Sequence, residues 1–309
     1  MPTSPRPPPT RRLLTVIGLA LAAAGCELNV DPFQDTPVSA PTEAPQGGFA
    51  VALSGTQVRV AWYGTPIGSL DFDFERATSE DGPYRIIGSS HLQFDGAGAS
   101  FIPPFLDETA DPETRFWYRA RATNSGGQGP WSAPVSVSTL SPGARWFPCA
   151  ALASFVHGPE GTFGLGAGAG RVGCAGVVGE RFCDESYVTF VGTRWAIGRK
   201  ATVQAIGGVP TGAGDGAFEA APLASPWSPE TLSPASLPAP LPGPLARSVE
   251  ESPPAGPTIV RWDVTELMKG WFTGAIPRHG LLLRDPRQGS PDPIDPRLLE
   301  FGFIDLIVE

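Results

Sequence analysis

The chain has 309 residues and a formal net charge of −9, and 41% of its residues are hydrophobic. This apolar fraction excludes a fully disordered chain, and the 38 glycines and 36 prolines disfavour a helical one. The length predicts about two domains, and the acidic excess makes nucleic acid and anionic membrane surfaces poor partners for the folded part. Lys200 and Lys269 are the only lysines, which we interpret as a composition effect without functional meaning.

The first 25 residues have the features of an export signal. Arg6, Arg11 and Arg12 precede an apolar run over residues 13–24. As a helix, this run is too short to span the roughly 30 Å of hydrocarbon in a bilayer, so no permanent membrane span is predicted. The run ends in Ala-Ala-Gly-Cys at Cys26, which resembles the lipobox of bacterial lipoproteins.

The lipobox resemblance implies that residues 1–25 are removed and that Cys26 carries acyl chains that anchor the protein in a membrane. Glu27 at the next position favours the outer membrane or the cell surface, because an aspartate there would resemble an inner-membrane retention signal. An ordinary signal peptide with a chance cysteine is the alternative. Residues 26–44 are polar and rich in proline, which predicts a disordered tether between the lipid and the folded part.

Residues 45–140 show the alternation of apolar and polar residues that is typical of half-buried strands. Turn-forming clusters separate these segments, as a β-sandwich requires. The predicted strands are 58–62, 70–75 and 115–122. We interpret the acidic row of Asp71, Asp73 and Glu75 as a solvated face and not as a calcium site, because residues two apart on a strand share one face.

This segment resembles a fibronectin type III domain in several places. Trp62 matches the core tryptophan of the second strand, and Phe74-Glu75-Arg76 matches the third strand. The run from Tyr118 to Gly127, followed by Trp131-Ser132, resembles the last two strands, with Phe116 in place of the family's corner tyrosine. The resemblance implies two packed antiparallel sheets in a spacer domain. We expect this domain to fold without its neighbour, because its strands are complete and its core aromatics are local.

Residues 144–309 contain a second series of short strand-like runs and one short helical segment, Thr265–Trp271. The predicted strands are 186–191, 201–206, 258–264, 280–284 and 303–308. Between the second and third of them, residues 222–257 are so rich in Pro, Ala and Ser that we predict a surface excursion without a central strand.

The segment from Val260 to Thr265, followed by Trp271 and by Gly280 to Leu283, resembles the DNRLRE (disaggregatase-related) jelly-roll family. Arg278-His279 and the proline-rich insertion depart from the family's pattern. The resemblance implies a jelly roll in a surface-displayed protein, and some members of the family are carbohydrate-binding modules. The expected fold is therefore all-β, a fibronectin type III sandwich followed by a jelly-roll β-sandwich.

The sequence lacks the usual signatures of catalysis and metal binding. Its three histidines lie in different predicted elements and do not have the spacing of zinc ligands; they are His91, His157 and His279. Neither a Gly-x-Ser-x-Gly elbow nor a Walker lysine is present. Asp285, Asp292 and Asp295 lie in a proline-rich loop, where aspartates form turns more often than calcium sites. We expect a protein that is not an enzyme and that binds no metal and no cofactor.

The cysteines after Cys26 are Cys149, Cys174 and Cys183. In an exported protein three cysteines predict one disulfide and one remaining thiol. A bridge between Cys174 and Cys183 closes the shorter loop and has flexible Gly-rich flanks, so we favour it over a bridge that involves Cys149. A catalytic thiol would need a nearby base, and His157 is only a distant candidate.

Exposed tryptophans are the best indication of function, because sugar rings stack on indole faces. Trp195 and Trp227 are the candidate ligand-binding residues, and Trp146 lies in similar loop-like surroundings. Prolines on both sides of Trp227 could instead pin it against the sandwich. We expect a non-catalytic envelope lipoprotein whose C-terminal jelly roll binds polysaccharide or another surface component. The alternatives are a structural component that contacts envelope proteins and a lyase or hydrolase, which would need paired carboxylates.

Overall fold

The structure is a computed structural model. It describes residues 39–309 except 65–70, 95–99, 102, 166–169, 176–180, 192, 209–216, 244, 252–256 and 289–296. The predicted export signal, Cys26 and the start of the predicted tether lie outside the described residues. No helix in the described part of the chain is long and apolar enough to cross a membrane. The fold is all-β and consists of an N-terminal and a C-terminal sandwich.

The described part of the N-terminal sandwich has ten strands: eight form its two sheets, and two short ones form a separate pair. The ten strands are β1 (Gln46–Ala52), β2 (Val58–Gly64), β3 (Asp71–Ala77), β4 (Arg85–His91), β5 (Gln93–Phe94), β6 (Ser100–Phe101), β7 (Phe105–Asp107), β8 (Arg115–Asn124), β9 (Gly127–Trp131) and β10 (Val135–Ser138). One sheet has the order β1-β2-β7 and the other the order β10-β8-β3-β4, with β9 also paired to β8. All of these pairs are antiparallel. This is the strand arrangement of a fibronectin type III domain.

The core between these two sheets is formed by the alternating residues of β2, β3 and β8. Trp62, Phe74 and Tyr118 are buried in it, and Phe116 is buried beside them. The Tyr118 hydroxyl donates a hydrogen bond to Oδ2 of Asp107 over 2.9 Å, and the same carboxylate pairs with the buried Arg76. The aromatic core therefore also encloses a fully paired charge, as buried ions require.

The outward face of β3 is not simply solvated. Asp73 pairs with Arg121 on the neighbouring strand β8 at 2.9 Å, and Glu75 pairs with Arg119 at 2.7 Å. Because directly opposed residues of antiparallel strands lie on one face, the acidic row of β3 is neutralised by a basic row of β8. Among the described residues no group of His, Cys, Asp or Glu side chains could hold a metal ion.

Ten further strands form the C-terminal sandwich. They are β11 (Arg145–Gly158), β12 (Gly161–Gly164), β13 (Gly170–Ala175), β14 (Phe182–Phe190), β15 (Ala201–Gly207), β16 (Glu219–Pro222), β17 (Ala246–Glu251), β18 (Thr258–Asp263), β19 (Leu281–Arg284) and β20 (Arg297–Val308). A 3-10 helix, Thr193–Ala196, precedes β15, and helix α1, Thr265–Thr273, follows β18.

The strand pairings of the C-terminal sandwich close on themselves. The circuit runs β11-β14-β19-β16-β17-β18-β15-β20 and returns from β20 to β11. Strand β13 lies between β14 and β20, and β12 is an edge strand on β11. Such closure leaves few free sheet edges, as in jelly rolls. The enclosed core contains the buried Val203, Trp262, Trp271, Phe301 and Leu306.

The prediction that residues 222–257 contain no central strand is wrong for Ala246–Glu251. This segment is β17, which pairs with both β16 and β18. It has no proline, so every residue can donate its backbone N–H to a ladder. The proline-rich part does remain outside the closed circuit: Leu223, Trp227 and Leu232 pack on the outer face of the sheet with Tyr187 and Leu282.

The two sandwiches share an apolar core. Phe49, Val51 and Leu53, from β1 and the residue after it, are buried against Ile206 and Ile307. Arg59 of β2 pairs with the buried Asp305 of β20, and the Nε1 of Trp146 donates to Oε1 of Gln57 over 2.7 Å. The β1-β2 sheet is therefore covered on both faces, on one by the local aromatic core of the N-terminal sandwich and on the other by the C-terminal sandwich.

Candidate functional site

The structure places the sequence-predicted cysteines on three neighbouring strands. Cys174 of β13 and Cys183 of β14 lie directly opposite each other and form a disulfide. Cys149 is a free thiol at the start of β11. It lies eight positions before His157 on the same strand, so about 25 Å separates the two at 3.3 Å per residue. This His–Cys pair therefore cannot act as a nucleophile and its base.

The candidate tryptophans have different surroundings. Trp227 is half-buried and its indole contacts the Tyr187 ring edge-on, with 6.0 Å between the ring centroids. These contacts favour the interpretation that the flanking prolines pin it against the sandwich. Trp146 lies in the interface between the two sandwiches, so the expectation that it is exposed is wrong. Trp195 belongs to the 3-10 helix, and its side chain lies outside the described part of the structure.

Of the three aspartates in the proline-rich loop, the structure describes only Asp285. Asp285 is buried and accepts hydrogen bonds from the guanidinium of Arg287, at 2.7 Å from Nη2 and 2.9 Å from Nε. Asp292 and Asp295 lie outside the described residues.

Helix α1 is fixed to the sheet by the Asp-Val-Thr segment that the sequence analysis identified. Asp263 accepts hydrogen bonds from the backbone N–H and the hydroxyl of Thr265, at 3.0 and 2.6 Å. The Thr265 hydroxyl in turn accepts the N–H of Ala201 at the start of β15. Asp263 satisfies a backbone donor that the first turn of the helix leaves free, so the helix begins at a defined place beside β15.

A groove runs along the exposed side of this helix, and we call it the helix groove. Its polar half has a volume of about 980 Å³ and lies between helix α1, β17 and the turn after the 3-10 helix. Four of the residues that line it are cationic: Arg199, Lys200, Arg247 and Lys269. Two are acidic, Asp263 and Glu266. Both lysines of the chain therefore face this groove, although their scarcity alone gave no indication of a role.

The apolar half of the helix groove lies on the other side of the same helix. It has a volume of about 680 Å³ and is lined by Leu241, Pro242, Ile276 and Pro277 among others. Both halves are lined by Glu266 and Lys269, so they meet at these two side chains. The helix groove is thus an extended surface with a polar and an apolar section.

Three of the four cations of the helix groove are held only loosely. Lys200 lies 3.2 Å from Glu309, Lys269 lies 3.5 Å from Glu266, and Arg247 lies 3.9 Å from Glu219. The three cationic side chains are 61%, 68% and 77% exposed. Exposed pairs of this kind contribute about 0–1 kcal/mol, so a ligand can take over these cations at little cost. The arginines of β8, by contrast, are tied to β3 across the sheet.

Sequence reasoning missed the helix groove because no single segment contains it. Its residues come from the turn after the 3-10 helix, from β17, from helix α1 and from the proline-rich segment. Only the Asp-Val-Thr segment is visible as a motif. The remaining residues become neighbours through the long-range pairings β15–β18 and β17–β18.

Comparison with known proteins gives resemblances to solved structures alone. No protein-family model and no curated protein matches the chain. The similar structures include FN3tt, with 20% identity over 33% of this chain and 97% of that chain and a TM-score of 0.25. They also include the sixth fibronectin type III domain of human fibronectin type III domain containing protein 3, with 21% identity over 34% of this chain and 92% of that chain and a TM-score of 0.25. A Fn3-like protein from Clostridium thermocellum matches with 18% identity over 34% of this chain and 95% of that chain, at a TM-score of 0.25.

Proposed function

We propose that the protein is a lipid-anchored envelope protein whose C-terminal sandwich binds polysaccharide in the helix groove without catalysis. One observation carries the proposal: the polar half and the apolar half of the helix groove meet at Glu266 and Lys269, along a single helix. Two cavities that adjoin along one helix suit an extended polymer better than a compact small molecule. The resemblance of residues 260–283 to a jelly-roll family with carbohydrate-binding members supports the same function.

The chemistry of the two halves matches the surface of a sugar chain. A pyranose ring has hydroxyls around its edge and C–H groups on its faces. The cationic and acidic side chains of the polar half offer donors and acceptors to the hydroxyls, and Arg199 and Lys200 can also bind acidic substituents. The Leu, Ile and Pro side chains of the apolar half offer contact to the C–H faces. Trp195, in the 3-10 helix that leads into Arg199, is a candidate for stacking at the polar end.

Binding can be tested with the chain from Glu27 to Glu309 on a glycan array that includes neutral and acidic polysaccharides. We expect Lys269→Ala and Trp195→Ala to weaken binding of the retained glycan at least tenfold, or about 1.4 kcal/mol. The matched control is Arg85→Ala, which removes an exposed cation of the N-terminal sandwich. Absence of any retained glycan, or equal loss in the control, would exclude the helix groove as a polysaccharide site.

The lipid anchor is tested separately. If Cys26 is acylated, Cys26→Ser abolishes incorporation of radioactive palmitate and leaves the export signal uncleaved or the protein released from the membrane. Palmitate labelling that persists in Cys26→Ser would overturn this part of the proposal and leave the binding function untouched.

A structural role in the envelope is the second candidate function, and one surface feature favours it. Phe163 on edge strand β12 and Phe182 at the start of β14 are both 50% exposed, and the Phe182 ring lies over Gly158 beside the β11–β12 hairpin. Exposed aromatic rings next to a free strand edge are typical of surfaces that bind another protein. If no glycan binds the parent chain, crosslinking through this hairpin in whole cells tests the structural role.

A further inference from the structure

A second cleft, of about 450 Å³, lies on the outer face of the C-terminal sandwich and shares no lining residue with the helix groove. We call it the proline-roofed cleft. Its floor is formed by side chains of β11, β14 and β19, its roof by residues 237–240 of the proline-rich segment, and one side by the turn of residues 285–288.

The register of the sheet places the floor residues on one face. His157 lies opposite Cys183, Phe155 lies opposite Glu185, and Tyr187 lies opposite Leu282. Residues two apart on a strand share a face, so Glu185 and Tyr187 are neighbours, and Arg284 continues the row of Leu282. A charged row of this kind is unusual on a face that the proline-rich segment covers, because burial disfavours ions without partners.

The acidic groups of the proline-roofed cleft already have partners. Glu185 accepts the hydroxyl hydrogen bond of Tyr187 at 2.7 Å, and the Nε2 of His157 lies 2.7 Å from the same carboxylate. The Nδ1 of His157 is engaged by Thr162 at 2.9 Å. Asp285 is neutralised by Arg287. Because both carboxylates already have partners, they are fixed in place and are not free to bind a further cation.

Two other polar groups of the cleft are buried without a partner. The Nε of Arg284 is a donor and the Oε1 of Gln288 is an acceptor, and neither has a hydrogen bond within the protein. Arg284 otherwise reaches only Glu219, at 3.4 Å from Nη2. Each buried group of this kind destabilises the protein until it is paired. A donor and an acceptor left open in one cleft match a ligand with hydroxyls, which both donate and accept.

We infer that the proline-roofed cleft binds a hydroxyl-rich ring of monosaccharide size. Leu282 in the floor and Leu237, Pro238 and Pro240 in the roof provide apolar contact to the C–H faces of such a ring. The backbone N–H of Gln288 donates a hydrogen bond to the carbonyl of Asp285 over 3.0 Å. This turn holds the side-chain amide of Gln288 at the cleft, where it can bind the hydroxyls of the ring. A volume of about 450 Å³ lies within the range of small-molecule pockets.

The site is tested by saturation-transfer NMR on the chain from Glu27 to Glu309 with glucose, galactose, mannose and N-acetylglucosamine. Tetrahydropyran-2-methanol, which keeps the ring and one hydroxyl, is the reference ligand. We expect at least one sugar to bind at millimolar concentration and at least tenfold more tightly than the reference ligand.

Two variants and one control locate the bound sugar. Gln288→Leu removes the amide at similar size, and Ala239→Trp fills the mouth of the cleft without touching its polar groups. We expect each to reduce binding at least tenfold, whereas Arg85→Ala, which removes an exposed cation of the N-terminal sandwich, leaves it unchanged. Ala239→Trp decides the result if Gln288→Leu does not fold.

Three results would overturn the inference. They are the absence of sugar binding up to about 50 mM, reference binding as tight as sugar binding, and unchanged sugar binding in both cleft variants. The helix groove is tested separately, by the effect of Lys269→Ala on polysaccharide retention, so failure of the cleft and failure of the helix groove are distinguishable.

Discussion

At the scale of single residues, Trp62 shows how a sequence pattern translates into packing. It alternates with polar neighbours along β2, which predicts an inward-facing side chain, and it is only 3% exposed. Its indole contacts Phe74 across the sandwich, with 5.9 Å between the ring centroids. Arg59 lies on the opposite face of the same strand and pairs with Asp305 of the C-terminal sandwich. Periodicity therefore identifies the two faces of a strand but not what covers the second face.

Trp62→Ala is expected to lower the free energy of unfolding by about 3–5 kcal/mol, because truncation of a buried aromatic leaves a cavity. Urea denaturation of the chain from Glu27 to Glu309 measures the change. Trp117→Ala on the outward face of β8 is the matched control and is expected to cost less. A loss below about 1 kcal/mol for Trp62→Ala would mean that this indole does not fill the core.

His157 makes stability depend on pH. The hydrogen bond to Glu185 raises the pKa of His157, and the charges of Glu185 and Asp184 raise it further, although burial lowers it. A raised folded-state pKa gives stabilisation that is fully present below the unfolded value of about 6.5 and is lost as the pH rises through the folded pKa. The unfolding free energies of the parent and of His157→Gln, measured between about pH 5 and 9, should therefore converge at the alkaline end. A difference that grows with pH would contradict this assignment.

At the scale of elements, the sequence predicted the bounds of strands and helices best where one face of a strand is solvated or where a short motif marks the element. Residues 258–264 and the helical segment 265–271 match β18 and helix α1 closely. Strand β11 was missed, because its middle is covered on both sides and its residues do not alternate. Strand β17 was missed because the prolines around it dominated the composition. Neither the helix groove nor the proline-roofed cleft could be predicted from the sequence. Both depend on strand pairings between residues more than 40 positions apart.

The disulfide belongs to the pairing of β13 with β14. Cys174 and Cys183 face each other in that ladder, whereas Cys149 pairs with Phe190 at the other end of β14. We therefore expect mass mapping of non-reduced peptides to find the Cys174–Cys183 link, and Cys149→Ser to leave it intact. A link that contains Cys149 would contradict the described pairing.

The thiol of Cys149 is expected to react slowly in the native protein. Burial raises its pKa to about 11, so little thiolate exists at pH 8. Iodoacetamide labelling at pH 8, followed by mass spectrometry with and without urea, measures this protection. Equally fast labelling in both conditions would show that the thiol is accessible in the native state.

At the scale of the whole molecule, the shared core makes the N-terminal sandwich more than a flexible spacer. Phe49, Val51 and Leu53 would be exposed if residues 141–309 were absent, because they pack against Ile206 and Ile307. Arg59 would lose Asp305, its partner in a largely buried pair. A joint of this kind fixes the direction in which the helix groove points relative to the N-terminal sandwich.

The intact chain is therefore expected to unfold in one calorimetric transition, and the isolated fragment 40–142 to melt at a lower temperature than the intact chain. Full burial of each large apolar side chain contributes about 1.5–3 kcal/mol, and 1 kcal/mol corresponds to roughly 4–8 °C in a domain of this size. The loss of several such contacts predicts a decrease on the order of 10 °C or more. Val51→Thr in the fragment is the matched control, since it makes the exposed face more polar without changing the inner core, and it should reduce aggregation. Two separate transitions in the intact chain, with the fragment melting at the temperature of the first, would show that the shared core does not couple the sandwiches.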